Sequence, residues 1–141
     1  MNQEFSLEGQ VALVTGSSRG IGQAIAELLA AYGAHVIVSS RRQESVDAVA
    51  ARIRDNGGKA TGIACHAGNI EQMQALVDRI DSEFGRLDIL VNNAATNPHF
   101  GNVLDTPLSA VDKTLEVNLR GYFALSQMAG RVMKGNGGGA I

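Results

Sequence analysis

The sequence holds one cysteine, no tryptophan and few aromatic residues of any kind, 4% in all. With Cys65 alone no intrachain disulfide can form, so the fold must rest on burial and hydrogen bonding. Charge of one sign never accumulates: 12 Lys and Arg stand against 14 Asp and Glu, a net charge of −2, with no long basic or acidic run. That argues against a nucleic-acid-binding surface or a polybasic membrane arm. No apolar stretch approaches the roughly 20 residues that a membrane-spanning helix needs. The start Met1-Asn2-Gln3-Glu4 has neither the basic nor the apolar segment of a secretory signal. The expectation is a soluble protein of a reducing, cytoplasmic compartment, acting on small molecules, with no nucleic-acid, membrane or metal partner.

Apolar residues make up 45% of the 141 positions and charged residues 18%, an ordinary globular composition. This is about one domain's worth of chain, able to bury on the order of two-thirds of its unfolded surface. Val11-Ala12-Leu13-Val14-Thr15 is a nearly continuous apolar run, as in a strand covered on both faces. Apolar residues Ile25, Leu28, Leu29 and Tyr32 then recur at helical spacing from Ile21 to Gly33. A second strand at His35-Val36-Ile37-Val38 precedes a helix striped by Val46, Val49, Ala50 and Ile53, which stops before Gly57-Gly58. A third strand around Thr61 to Cys65 leads to Asn69, a helix N-cap with Gln72 three residues on. The stripe Ile70, Met73, Val77, Ile80, Phe84 follows, and then Ile89-Leu90-Val91 as the fourth strand.

Strands alternating with crossover helices predict an α/β fold, a doubly wound parallel sheet of Rossmann type. Thr106-Pro107 reads as an N-cap with proline at the first helical position, opening a long helix to about Lys134, broken at most once. The glycine run 135–139 ends it, and Ala140-Ile141 reads as a fifth strand beginning. Residues 1–141 are therefore expected to form a single dinucleotide-binding domain, incomplete on its C-terminal side.

The chemistry concentrates in the turn after the first strand, Thr15-Gly16-Ser17-Ser18-Arg19-Gly20-Ile21-Gly22. Three glycines let the backbone approach a pyrophosphate, and the helix that follows offers unpaired N–H groups and a partial positive charge. The alternative is that Gly20 and Gly22 serve only close helix–sheet packing. The spacing differs from the common dinucleotide fingerprint, and no Lys-Ser or Lys-Thr follows to make a nucleotide-triphosphate loop.

TGSSRGIG resembles the Thr-Gly-x-x-x-Gly-Ile-Gly turn of short-chain dehydrogenases/reductases. Asn92-Asn93-Ala94-Ala95 resembles that family's Asn-Asn-Ala-Gly, with Ala95 a departure, and Asn118 in Val117-Asn118-Leu119 matches the asparagine of its long helix. The resemblance spans essentially the whole chain. It implies a nicotinamide cofactor held by Gly16, Ser18, Arg19, Gly20, Ile21, Gly22, Asn93 and Ala94. It implies for Asn118 a place at a helix kink holding a water of a proton relay; a polar packing role in a bent helix is the alternative.

Cofactor choice is read at the end of the second strand. An Asp or Glu there binds the adenosine ribose diol and repels a 2′-phosphate. Here the residues are Ser39-Ser40-Arg41-Arg42, with no carboxylate and with Arg41 able to fork onto a phosphate. NADP(H) is expected, and the resemblance implies that Arg19 reaches the same phosphate; Arg42 is read as a solvated helix-start charge. His66 stands where the family usually has an Asp that contacts the adenine amino group. Cys65-His66-Ala67-Gly68 resembles a stretch of the family's carbonyl and retinal reductases, and a plain surface histidine is the other reading.

The family's Tyr-x-x-x-Lys pair cannot be found: Val36 follows Tyr32 by four positions and Ser126 follows Tyr122. The preceding serine cannot be assigned either. The expected function is that of an NADP(H)-dependent oxidoreductase of carbonyl or alcohol substrates whose catalytic Ser, Tyr and Lys lie outside these residues. By themselves the residues are then expected to be inactive, and the alternative is a non-catalytic dinucleotide-binding or interaction module. The loop Asn97-Pro98-His99-Phe100-Gly101 is read as a turn more than as a substrate wall. Leu115, Leu119, Tyr122 and Phe123 are expected to be exposed beside an unpaired sheet edge, and the resemblance implies a homo-oligomer.

Overall fold

The computed structural model describes residues 5–141. The start Met1 to Glu4, on which the reading of a missing signal segment rests, lies outside the described residues. The chain forms a Rossmann-like α/β fold. Four parallel strands, β1 (Val11–Thr15), β2 (His35–Ser40), β3 (Lys59–Ala64) and β4 (Ile89–Val91), lie in the order β3-β2-β1-β4. Helices α1 (Gly20–Ala31), α2 (Gln43–Asp55) and α3 (Ile70–Phe84) make the crossovers.

Every residue of β1 is buried, and its period-2 alternation splits the core. Val11 and Leu13 face α3 with Ile37, Met73, Val77, Ile80 and Leu90. Ala12 and Val14 face α1 and α2 with Val36, Val38, Val46, Ala50 and Ile53. The chain order reverses between β1 and β4, so a crevice opens at their C-terminal ends, where ligands bind in such sheets.

The face that α1 buries differs from the apolar stripe read in the sequence. Gly22, Ala26 and Ala30 are its fully buried residues; Ile25 and Leu29 of the stripe pack partly buried against the same core, whereas Leu28 is exposed. Small residues bring the helix axis close to the sheet, which pushes the larger side chains to the flanks. In α3, Leu76 joins the core beside the predicted positions. Asn69 caps α3 as expected, its Oδ1 accepting the Gln72 N–H at 2.9 Å. The return bond of a capping box is absent, because the Asn69 N–H already donates to the His66 carbonyl; Gln72 Oε1 instead accepts the His66 N–H at 2.8 Å.

The outer edge of β3 is closed by side chains. Gln43 donates to the Gly62 carbonyl and accepts the Ala64 N–H, both at 2.9 Å, and Arg54 donates to the Ala60 carbonyl.

At the other end, helix α4 runs Leu108–Leu115, a π-helical turn takes Glu116–Gly121, and α5 takes Tyr122–Gly135. Pro107 is the cap residue with an extended ψ of 143°, not the first helical one as predicted. The Thr106 hydroxyl donates to the Asn102 carbonyl and makes no cap bond to α4. The predicted single break is this wide turn. It presses on the loop after β3: a Cβ on Gly121 would lie 2.2 Å from the Ala67 carbonyl oxygen, so only glycine fits.

Ala140 pairs with Ile89 in parallel, its N–H donating to Asp88 and its carbonyl accepting from Leu90. The edge of β4, expected to be unpaired, is thus taken up there. Leu115, Leu119 and Phe123 are exposed as expected, but Tyr122 is half-buried and burial pushes its phenol pKa up.

Candidate functional site

β1 ends at Thr15, and Gly16, with φ of +63°, turns the chain across the crevice. The Thr15 hydroxyl accepts the N–H groups of Asn93 and Ala94, both at 3.0 Å, and donates to the Val91 carbonyl at 3.3 Å. One side chain therefore ties the end of β1 to the loop after β4. The Asn93 amide donates to the carbonyls of Thr15 and Gly16 at 3.1 and 3.2 Å. A Cβ on Gly22 would lie 2.4 Å from both the Gly16 oxygen and Asn93 Nδ2. Gly22 thus has the packing role considered for it, and that packing brings the start of α1 against the turn.

Arg19 is the N-cap of α1, makes no side-chain cap bond, and no acidic residue follows in the first turn. The first N–H groups of α1 lack a side-chain partner at the crevice, with the positive end of the helix dipole behind them. Gly20, with φ of +56°, lines the same wall, and a Cβ there would meet nothing within 4 Å.

The crevice is a cleft of about 620 Å³ whose wall includes Gly16, Ser18, Arg19, Gly20, Ile21, Gly22, Arg41, His66, Asn93 and Ala94. Ser40, Arg42, Ser45, Thr96 and Lys113 also line it, and among the described residues no Asp or Glu does. Among the described residues Arg19, Arg41 and Arg42 take part in no ion pair, while Lys113 pairs with Glu116 at 2.9 Å. A chain of net charge −2 has therefore collected cations without counter-charges around one opening. The opening is therefore electropositive. Arg42, read as a solvated charge, lies on the wall; it is also exposed.

Asn118 is not on the wall. Its Oδ1 accepts the Thr96 N–H and its Nδ2 donates to the Thr96 carbonyl, both at 2.9 Å, so the side chain holds Thr96, which does line the cleft. His66 reaches the wall with Nδ1 occupied, accepting the Gly68 N–H at 3.0 Å. In that state Nε2 carries the proton and can only donate, so His66 cannot replace a carboxylate as acceptor for an adenine amino group. Burial pushes the Cys65 thiol up to about 11, which leaves it a neutral wall atom. His99 Nε2 is buried without a partner, away from the cleft wall.

Sequence reasoning missed Thr15 and Ser17 as organisers of the site. Both stand inside the quoted glycine turn, but apart from the Val14 carbonyl bound by Ser17 their partners lie 22 to 79 positions away and leave no local signal. The missing carboxylates among the residues after β2 were the legible part of the cleft's electrostatics.

A parallel sheet with a glycine-rich turn leading into a helix start at its switch point is the arrangement of the dinucleotide-binding α/β proteins. Within that class the chain belongs to the short-chain dehydrogenase family, whose model matches residues 10–141. It is 45% identical over 135 residues to dehydrogenase/reductase SDR family member 4 of Sus scrofa, covering 96% of this chain and 48% of that protein. A short-chain type dehydrogenase/reductase from Mycobacterium marinum superposes with a TM-score of 0.91 at 36% identity, covering 96% of this chain and 56% of that one. A metagenomic short-chain oxidoreductase in complex with NADP superposes with a TM-score of 0.89 at 35% identity, covering 94% and 60%. The chain spans about half the length of the curated relatives it matches. Among the described residues no helix is long and apolar enough to cross a membrane.

Proposed function

We propose that these residues are the cofactor-binding part of an NADP(H)-dependent oxidoreductase that interconverts a carbonyl compound and an alcohol. The observation that carries this reading is the acid-free end of β2, Ser39-Ser40-Arg41-Arg42, lining one cleft with Arg19 and the uncapped start of α1. A diphosphate suits the α1 N–H groups and the bare glycines, and a 2′-phosphate suits a guanidinium fork. The cleft's size also suits a ligand of this class, whose sites run to roughly 300–1,000 Å³. The NADP in the metagenomic relative supports the same choice. Bound there, the nicotinamide supplies or accepts a hydride.

On this reading Gly16, Ser18, Gly20, Ile21 and Gly22 cradle the diphosphate, Arg41 and Arg19 select the 2′-phosphate, and Asn93 and Ala94 form the wall behind the ribose. His66 donates a hydrogen bond on the adenine side. Asn118 acts on the reacting end by holding Thr96. The 141 residues contain no Tyr-x-x-x-Lys pair, so by themselves they are expected to bind cofactor without turnover. Losing a general acid costs about 10²–10⁴ in rate. The whole protein is expected to work in the cytoplasm as an oligomer, with Leu115, Leu119 and Phe123 on the contact face.

The test is NADPH consumption by the full-length protein against a panel of aldehydes and ketones. Substrate-dependent loss of reduced-nicotinamide absorbance supports the enzyme. Tight cofactor binding with no turnover by the full-length protein points to a non-catalytic dinucleotide-binding module.

A further inference from the structure

Ser17 lies under the glycine-rich turn and does not touch the cleft. It is 0% exposed. Its hydroxyl donates to the Val14 carbonyl at 2.6 Å and accepts the Ser39 N–H at 2.9 Å. Its own N–H donates to the Ser39 carbonyl at 3.1 Å. A single residue thus grips both backbone groups of Ser39, at the point where β1 has ended and its chain has turned away. With no water to compete, a buried hydroxyl used as donor and acceptor at once makes a stiff joint.

The position of the joint matters more than its strength. Ser17 stands between Gly16 and Ser18 of the anion-facing turn, and Ser39 stands two residues before Arg41. The joint therefore sets the separation between the turn and the arginine-bearing segment. We infer that Ser17 is a positioning residue that sets the preference for a 2′-phosphorylated over an unphosphorylated dinucleotide, by keeping the Arg41 segment in register with the glycine-rich turn. This inference rests on the reading of the cleft as an NADP(H) site. Recognition by a planar fork needs its geometry held to within about 0.5 Å. Ser17→Ala keeps the backbone bond but releases the Ser39 N–H, so the end of β2 can shift. The α1 N–H groups that face the diphosphate are untouched.

The test measures NADPH and NADH affinities by calorimetry on the full-length protein as wild type, Ser17→Ala, Arg41→Ala and the double variant. The expected result for Ser17→Ala is an NADPH affinity lower by about tenfold, the scale of one weakened charge-assisted contact, with NADH affinity within about twofold of wild type. The double variant is expected to bind NADPH no more weakly than Arg41→Ala, because the two act through one contact. Equal losses for both cofactors, or full additivity with Arg41→Ala, would overturn the inference. Should Ser17→Ala not fold, Ser17→Cys, which keeps the side-chain shape with a somewhat larger and weakly hydrogen-bonding atom, carries the same comparison, and an unchanged NADPH/NADH ratio there overturns it. A wild type that does not favour NADPH overturns the cofactor reading itself; a wild type that does, with Ser17 variants unaltered, overturns only the joint.

Discussion

The Thr15 hydroxyl accepts the backbone N–H of Asn93 at 3.0 Å, and that bond joins the end of the first strand to the loop after the fourth at the mouth of the cleft. The same oxygen holds Ala94, so both walls of the crevice depend on one atom.

Thr15→Val keeps the shape but leaves two N–H groups and a carbonyl without their partner in a site where Thr15 is buried. Unsatisfied buried groups cost about 1–3 kcal/mol each, and partial relaxation of the loop brings the expected loss to about 2–4 kcal/mol. Urea unfolding should show this as a lower midpoint with unchanged slope, and Thr15→Ser should recover most of it. A Val variant as stable as wild type would show that the hydroxyl organises nothing.

Gly22→Ala puts a methyl 2.4 Å from the Gly16 oxygen and from Asn93 Nδ2. The Gly16 oxygen cannot retreat without moving the turn, and Asn93 Nδ2 cannot without giving up its bonds to Thr15 and Gly16, so the variant is expected to lose about 1–3 kcal/mol of stability, as overpacked sites do. It is also expected to lose measurable cofactor binding. Calorimetry beside a thermal melt separates the two effects, and unchanged affinity would mean that the turn does not hold the diphosphate.

The strands were legible because residues buried on both faces must be apolar without interruption, as Val11 to Val14 and Val36 to Val38 are. The stripe of α2 was legible because Val46, Val49, Ala50 and Ile53 are themselves its contacts. The face of α1 was legible only at its flanks, Ile25 and Leu29, since its central contact residues Gly22, Ala26 and Ala30 are chosen for smallness, which hydrophobic spacing does not register. A break in the long helix was expected, but its position against the loop after β3 was not legible, because Gly121 is dictated by the Ala67 carbonyl, 54 positions earlier in the chain. Of the cleft, the glycines and arginines could be read as a local pattern, whereas the long-range clamps of Thr15, Ser17 and Asn118 could not.

Asp88 gives the fold a pH dependence. Arg86 binds its carboxylate through two N–H groups at 2.7 and 2.8 Å, and the Val11 N–H adds a third bond at 2.8 Å. These contacts, the Arg86 bond first, hold the carboxyl below its ordinary value against the opposing effect of burial. A group whose folded-state pKa is depressed stabilises the fold fully above its unfolded value, about 3.9 for Asp, and the contribution is lost as pH falls through the folded value. Asp88→Asn should therefore lower stability near pH 7 and flatten its decline below about pH 4. Parallel acid-unfolding curves for wild type and variant would contradict the assignment.

Competition between NADPH and NADH for the purified protein, followed by calorimetry in wild type and Arg41→Ala, bears most directly on the cleft's role. The expected outcome is NADPH binding about tenfold to a hundredfold tighter than NADH in the wild type, from one or two charge-assisted contacts, with the gap narrowing when the guanidinium is removed. Equal affinities, or no binding of either nucleotide, would contradict it.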